Sequence, residues 1–270
     1  MRSLAESAPR RVESRQNARV KELRAGLSRS MKTAHDHIAV EGLHLVQEAV
    51  KSGLKLDTVF LQEGHEELAQ QFPSTSAEIL ILREDVFLSA AMTENPQGVA
   101  ALVEAPEFNM QSMFPTAPGP EPLIVVAGAL QDPGNLGTLV RSAEAFGATG
   151  MILLPGTVSL WNAKTLRASS GSAFRLPVLP MSAEAAFKVL RDRGVRILAA
   201  VARDGDSEAD LRGPSALLVG NEGSGLPKTW IAEADARVTI PFTGAVESLN
   251  AAIAGSVLLY DAMRQRLKRQ

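Results

Sequence analysis

Between Ala105 and Pro122 the chain carries Pro106, Pro115, Pro118, Pro120 and Pro122. Each proline removes a backbone donor and restricts the residue before it, so neither a helix nor an inner strand can pass through. The stretch reads as a linker over residues 106–122, which divides the 270 residues into a first domain, 1–105, and a second, 123–270. On both sides apolar runs of strand length alternate with segments of helical periodicity, the pattern of α/β domains. In the first domain this predicts helices at Gln16–Leu27, Leu43–Val50, Glu66–Gln71 and Glu84–Ala91, and strands at Ile38–Glu41, Leu56–Leu61, Glu78–Leu82 and Gly98–Val103.

Composition removes several chemistries. There is no cysteine, which excludes disulfides, thiolate metal sites and cysteine nucleophiles. The four histidines, His35, His37, His44 and His65, lie in the first quarter, where His35 and His37 are two apart and lack a nearby carboxylate cluster, so no metal is expected. No apolar run approaches the roughly 20 residues of a membrane span, and the amino end lacks the apolar core of a signal peptide. An arginine-rich start is also found in transit peptides, but Glu6 and Glu13 argue against one, and the chain reads as cytoplasmic with no membrane partner.

The net charge of −2 conceals basic ends. Arg2, Arg10, Arg11, Arg15, Arg19, Lys21, Arg24, Arg29 and Lys32 face only Glu6, Glu13 and Glu22 within Met1 to Ala34, and Arg264, Arg266, Lys268 and Arg269 close the chain. Either cluster suits phosphate neutralisation, although a solvated helix face has the same composition.

The second domain opens with the strand Leu123–Ala127 and the turn Gln131–Gly134, with Asn135 at the expected helix cap. Leu136, Leu139, Val140, Ala143 and Phe146 then form an apolar stripe, and Arg141 falls on the opposite side of that helix. Further strands are expected at Met151–Leu154, Leu176–Leu179, Val195–Ala200, Ser215–Gly220 and Arg237–Pro241. Helices are expected near Trp161–Ala168, from a Ser182 cap to Arg193, and from about Ser248 to Lys268. Ala216 to Leu226, ALLVGNEGSGL, is an apolar strand running into a glycine-rich polar turn. The last helix starts with Asn250, Ala251, Ala252, Ala254, Gly255 and Ser256, small enough for close approach of a backbone or ligand.

Three strand-to-loop junctions therefore carry polar or glycine-rich signals: Gln131 to Arg141, Gly220 to Gly225, and Pro241 to Asn250. In open α/β sheets such carboxyl-end loops frame a ligand crevice. The first junction has neither G-x-G-x-x-G nor the P-loop lysine, so no dinucleotide or nucleotide triphosphate is indicated. With no histidine or cysteine in this domain, covalent triad catalysis is a poor fit. Arg141, Glu222, Ser248 and Asn250 remain, and they suit positioning and electrostatics.

The blocks LQDPGNLGTLVRSAEAFGATGMIL, LLVGNEGSGL and TIPFTGAVESLNAAIAGSVLLYDAM resemble, in order and spacing, the three motifs of the SpoU (TrmH-like) RNA ribose 2'-O-methyltransferases of the SPOUT class. The resemblance covers the second domain. More loosely, SRQNARVKEL, VEGLHLVQEAV and PQGVAALV resemble that family's N-terminal substrate-binding domain, a ribosomal-protein-like α/β RNA-binding unit. It implies a parallel sheet whose C-terminal segment threads into a trefoil knot, S-adenosylmethionine as methyl donor, structured RNA as substrate, and a homodimer. By the same resemblance Gly220, Ile240 and Leu249 are the donor-binding positions, and Asn135, Arg141, Glu222, Ser248 and Asn250 the catalytic set. Ala251 and Ala252 depart from the Val and Ser of many relatives, which touches packing rather than chemistry. Ribosomal RNA is preferred as substrate. Transfer RNA, a non-catalytic RNA-binding protein and an enzyme acting on a small molecule in the same pocket are the alternatives.

Overall fold

The computed structural model describes residues 9–29, 31–72, 77–115 and 119–267, and within them two compact units. Arg2 of the basic lead, Pro118 of the linker, and Lys268 and Arg269 of the C-terminal cluster lie outside the described residues. The first unit runs β1 (Arg10–Val12), α1 (Ala18–Arg29), β2 (His37–Glu41), α2 (Leu43–Lys51), β3 (Leu56–Gln62), β4 (Glu78–Leu82), α3 (Glu84–Leu88) and β5 (Val99–Glu104). Its five-stranded sheet has the order β1-β4-β3-β5-β2; β1, β4 and β3 are parallel, and β5 is antiparallel to both its neighbours. Helix α1 lies directly on β2, since a Cβ on Gly26 would come within 2.7 Å of the Ala39 Cβ. Glu66–Gln71 is a 3-10 helix, and α3 ends at Leu88 instead of reaching Ala91.

The second sheet is built from β6 (Leu123–Ala127), followed by α4 (Pro133–Ala145), β7 (Gly150–Leu153), and, beyond the short helix α5 (Ala163–Ser169), β8 (Val178–Pro180). Next come α6 (Ala183–Asp192), β9 (Arg196–Ala200), β10 (Ser215–Val219), α7 (Lys228–Glu233), β11 (Ala236–Val238) and α8 (Ala251–Leu267). All six strands are parallel, in the order β11-β9-β10-β6-β7-β8. Every residue of β6 and β10 is buried, as expected of inner strands covered on both faces.

Two features depart from the expected pattern. Residues 159–174, with α5, group with the first unit, whereas a division at the prolines alone assigns them to the second. Ala163 joins the apolar cluster of Leu23, Phe60, Leu80 and Phe87, and the His44 Nε2 and Ser170 Oγ atoms are 2.7 Å apart. Helix α7 has no counterpart in the sequence reading. It is short, and its Trp230 packs beside Gly128, where a Cβ would lie 2.8 Å from the indole.

The sheet order places the crevice. From β6 the chain moves outward through β7 and β8, and it returns to lay β10 on the other side of β6. The strand order reverses between β10 and β6, and a ligand site is expected outside their carboxyl ends. Their register pairs Val219 with Ala127, so Gly220 and Gly128 leave the sheet side by side.

Candidate active site

Three polar side chains reach this switch point from three different elements. Helix α4 is capped by Asp132, whose carboxylate accepts from the Asn135 amide N at 2.8 Å, with Pro133 in the first turn. The expected cap at Asn135 is therefore wrong by three positions. Proline fits a position whose N–H has no intrahelical partner, and the aspartate takes the donor beyond it. Asn135 sits in the first turn with its side chain left for other partners.

After β10 the chain doubles back within five residues. Asn221 and Gly225 exchange both backbone hydrogen bonds, at 3.1 and 3.0 Å. A Cβ on Gly220 would lie 2.6 Å from the Gly225 carbonyl carbon, so only glycine lets the strand end pass this close. Glu222 projects from that turn. The expected last helix starts at Ala251, and Ser248 and Leu249 lie in the loop before it. Asn250 caps it, its Oδ1 accepting from Ala252 N at 3.0 Å and Ile253 N at 3.2 Å.

The cap sets the direction of a hydrogen-bonded chain. With Oδ1 taken by the helix, Asn250 presents Nδ2, which donates to Asn135 Oδ1 at 3.0 Å. Asn135 must then offer its own Nδ2, and this donates to Glu222 Oε1 at 2.9 Å. Asn135, Glu222 and Asn250 are thus held together with each amide's orientation determined.

Beside this chain is a cavity of about 310 Å³ at the carboxyl ends of β9, β10 and β11. Gly220, Ile240 and Leu249 line it, and so do Glu222 and Ser248. Glu222 alone among the expected catalytic residues belongs to both the cavity wall and the hydrogen-bonded chain. Val219, Phe242 and Leu258 add apolar wall that local patterning did not single out, since each reads as ordinary strand, loop or core. Arg141 stands apart: it is exposed on α4 and makes no hydrogen bond or ion pair among the described residues. Sequence reading also passed over Asn221, although an asparagine opening a glycine turn is a signal for side-chain closure of that turn.

The basic ends are largely committed to internal partners. Arg10 pairs with Glu78, Arg11 with Glu63 and Arg15 with Asp85, while Arg19 meets Glu22 and Asp57. Arg24 donates to the Ser89 carbonyl and hydroxyl. At the other end Arg264 pairs with Asp261, and Arg266 donates to the backbone carbonyls of Glu121, Pro122, Leu211 and Gly213. Burial pushes the Arg266 guanidinium below its usual range, and it acts as a fastening for α8 rather than as a phosphate contact. His37 lies 3.0 Å from Glu22 and 3.8 Å from Asp57, partners 15 and 20 positions away in sequence. Among the described residues no group of three or more His, Asp or Glu is arranged to hold a metal ion, and no helix is long and apolar enough to cross a membrane.

Comparison with known proteins gives a consistent result over both units. The profile described as the SpoU rRNA Methylase family matches residues 122–260, and that of the MRM3-like substrate binding domain matches residues 17–101. The 23S rRNA (guanosine(2553)-2'-O)-methyltransferase RlmP of Bacillus subtilis is 31% identical over 256 residues, 93% of this chain and 98% of that protein. The 23S rRNA (uridine(2479)-2'-O)-methyltransferase of Streptomyces viridochromogenes is 32% identical over 283 residues, 98% of this chain and 96% of that one. Among solved structures, the SpoU methyltransferase AviRb from Streptomyces viridochromogenes in complex with AdoMet has a TM-score of 0.82 at 29% identity, covering 93% of this chain and 99% of that one. An AdoMet-bound rRNA methyltransferase from Sinorhizobium meliloti has a TM-score of 0.80 at 31% identity, covering 94% and 97%.

Proposed function

The chain belongs to the SpoU rRNA methylase family, and from that premise we propose that it transfers a methyl group from S-adenosylmethionine to a ribose 2'-hydroxyl of structured RNA, ribosomal RNA before transfer RNA. The observation that carries this reading is the meeting of a glycine-walled cavity with the Glu222–Asn135–Asn250 chain at the sheet's switch point. The residues present suit the donor. Gly220 leaves the backbone bare where a side chain would collide with Gly225 across the turn, and Ile240, Leu249, Phe242 and Leu258 offer apolar wall to a flat heterocycle. Backbone groups at Gly220, Ile240 and Leu249 would receive the adenine and methionine parts.

When bound, S-adenosylmethionine supplies an electrophilic methyl group. The protein's task is then to present the ribose hydroxyl in line and to exclude water. Arg141 binds and orients the RNA through its charge and planar fork of donors. That it has no side-chain partner among the described residues supports that part. Glu222 and Asn250 hold Asn135 in one amide orientation, and the exposed Ser248 offers a hydroxyl at the cavity's edge.

The same reading includes a cytoplasmic location, a C-terminal knot as in the family, and a first unit that contributes RNA affinity. It also includes a homodimer without a metal. Ile253, Val257 and Tyr260 recur along one face of α8 at 54%, 41% and 48% exposure, which supports a second copy as the cover for that face.

Mapping 2'-O-methyl groups in ribosomal and transfer RNA from cells with and without this protein tests the reading. A ribosomal site that disappears with the protein is the expected outcome, and a transfer RNA site would move the substrate to the alternative. Donor binding with no RNA methylation would leave a non-catalytic RNA-binding protein.

A further inference from the structure

Helix α4 carries Asn135 and the turn after β10 carries Glu222; besides the hydrogen bond between those two, a further side chain ties the turn to the loop from β6 to α4. Asn221 Oδ1 accepts from Gly223 N at 2.9 Å, Ser224 N at 3.0 Å and the Ser224 hydroxyl at 3.2 Å, which folds the turn around it. Its Nδ2 faces the other way and donates to the Ala129 carbonyl at 2.8 Å. Ala129 has φ +56°, a left-handed conformation that alanine keeps only where its surroundings hold it. Two nearby carbonyls are held from elsewhere: Ala127 O by Leu154 N and the Thr157 hydroxyl, and Leu130 O by Val158 N. Of these three carbonyls, among the described residues, the one at Ala129 is held by the turn that bears Glu222.

Resting on the methyl-transfer reading above, we propose that Asn221 is a positioning residue for the reaction: it locks the Ala129 loop to the Gly220–Gly225 turn and thereby sets Glu222 against Asn135. Its two amide ends serve separate purposes. The oxygen shapes the turn, and the nitrogen sets where the turn stands relative to α4. Asn221→Asp separates them, since it keeps an oxygen for the turn amides and turns a second oxygen on the Ala129 carbonyl. Asn221→Ala removes both.

The test uses the full chain. With S-adenosylmethionine and a ribosomal RNA fragment, Asn221→Asp should lower the single-turnover rate on the order of 30-fold, with affinity for S-adenosylhomocysteine by calorimetry within about threefold of the parent. In a Glu222→Ala background the same change should cost less than about threefold further, because the residue acts through Glu222. Without any donor, the side-chain amide resonances of Asn135 should shift in Asn221→Asp. An undiminished rate with unmoved Asn135 resonances overturns the proposal, as does an equal loss in both backgrounds, which would make Asn221 merely structural. If the parent protein itself transfers no methyl group to RNA, the functional reading fails, and the Asn135 resonances still decide the part played by Asn221. Should Asn221→Asp not fold, Asn221→Ser, which retains a short acceptor but cannot reach Ala129, carries the same readings.

Discussion

At the scale of single residues, Arg141 and Asn250 separate chemistry from architecture. Arg141 is exposed and unpartnered among the described residues, so Arg141→Ala should leave thermal stability within about 0.5 kcal/mol of the parent. If it orients the ribose, turnover should fall on the order of 100- to 1,000-fold with donor affinity retained. Single-turnover methylation and calorimetry on that variant check both parts, and a parent-like rate would return Arg141 to an ordinary surface arginine. Asn250 serves two structures at once, as cap of α8 and as donor to Asn135. Asn250→Ala should therefore cost about 1 kcal/mol of stability from the lost cap in addition to lowering turnover. Thermal unfolding of both variants side by side should show the difference.

At the scale of elements, close approach and buried charge decide what the structure tolerates. Gly220→Ala sets a Cβ 2.6 Å from backbone that cannot swing aside, so the turn must open. A loss of about 1 to 3 kcal/mol and weaker donor binding are expected. Gly223→Ala, where the nearest atom is Asn221 Oδ1 at 3.6 Å, should leave stability nearly unchanged, and urea melts of the pair would test the contrast. In the first unit Glu22 ties α1 to β2. Burial pushes its carboxyl up, but hydrogen bonds from Thr33, His37 and Arg19 together hold it below its ordinary value of 4.5. A folded-state pKa below the unfolded one stabilises above the unfolded value, and that stabilisation is lost as pH falls through the folded one. Stability should thus fall as pH drops below about 4.5, and Glu22→Gln, measured by denaturant melts across that range, should show a shallower fall.

For the whole molecule, the exposed α8 face leads to a prediction about assembly. If a second copy covers Ile253, Val257 and Tyr260, sedimentation should report a dimer, and Val257→Glu with Tyr260→Glu should yield monomers that remain folded. A parent protein that sediments as a monomer while methylating at full rate would sink this idea. The grouping of residues 159–174 with the first unit also bears on how the molecule is dissected. A cut near residue 120 would strip Ala163 of its apolar neighbours, so substitutions in the full chain are the sounder probe of RNA affinity.

Much of this protein is set by local pattern. The strands Glu78–Leu82 and Leu123–Ala127, the Ser182 cap and the glycine turn after β10 follow from periodicity and turn chemistry that a few neighbouring residues determine. The motif blocks pointed to the family, and they named Gly220, Glu222, Ile240, Ser248 and Leu249 on the cavity wall and Asn135, Glu222 and Asn250 of the polar chain. Only the tertiary structure decided which of those residues meet. The hydrogen bonds joining Asn135 to Glu222 and Asn250 span 87 and 115 positions, and they exist because the Val219–Ala127 register sets two loops side by side. The same holds for the Asn221 tether to Ala129, for α5 grouping with the first unit, and for the basic lead meeting its acids across a sheet. Local propensity acts over a few residues and carries no record of strand order, so contacts between distant segments appear only when the parallel sheet closes.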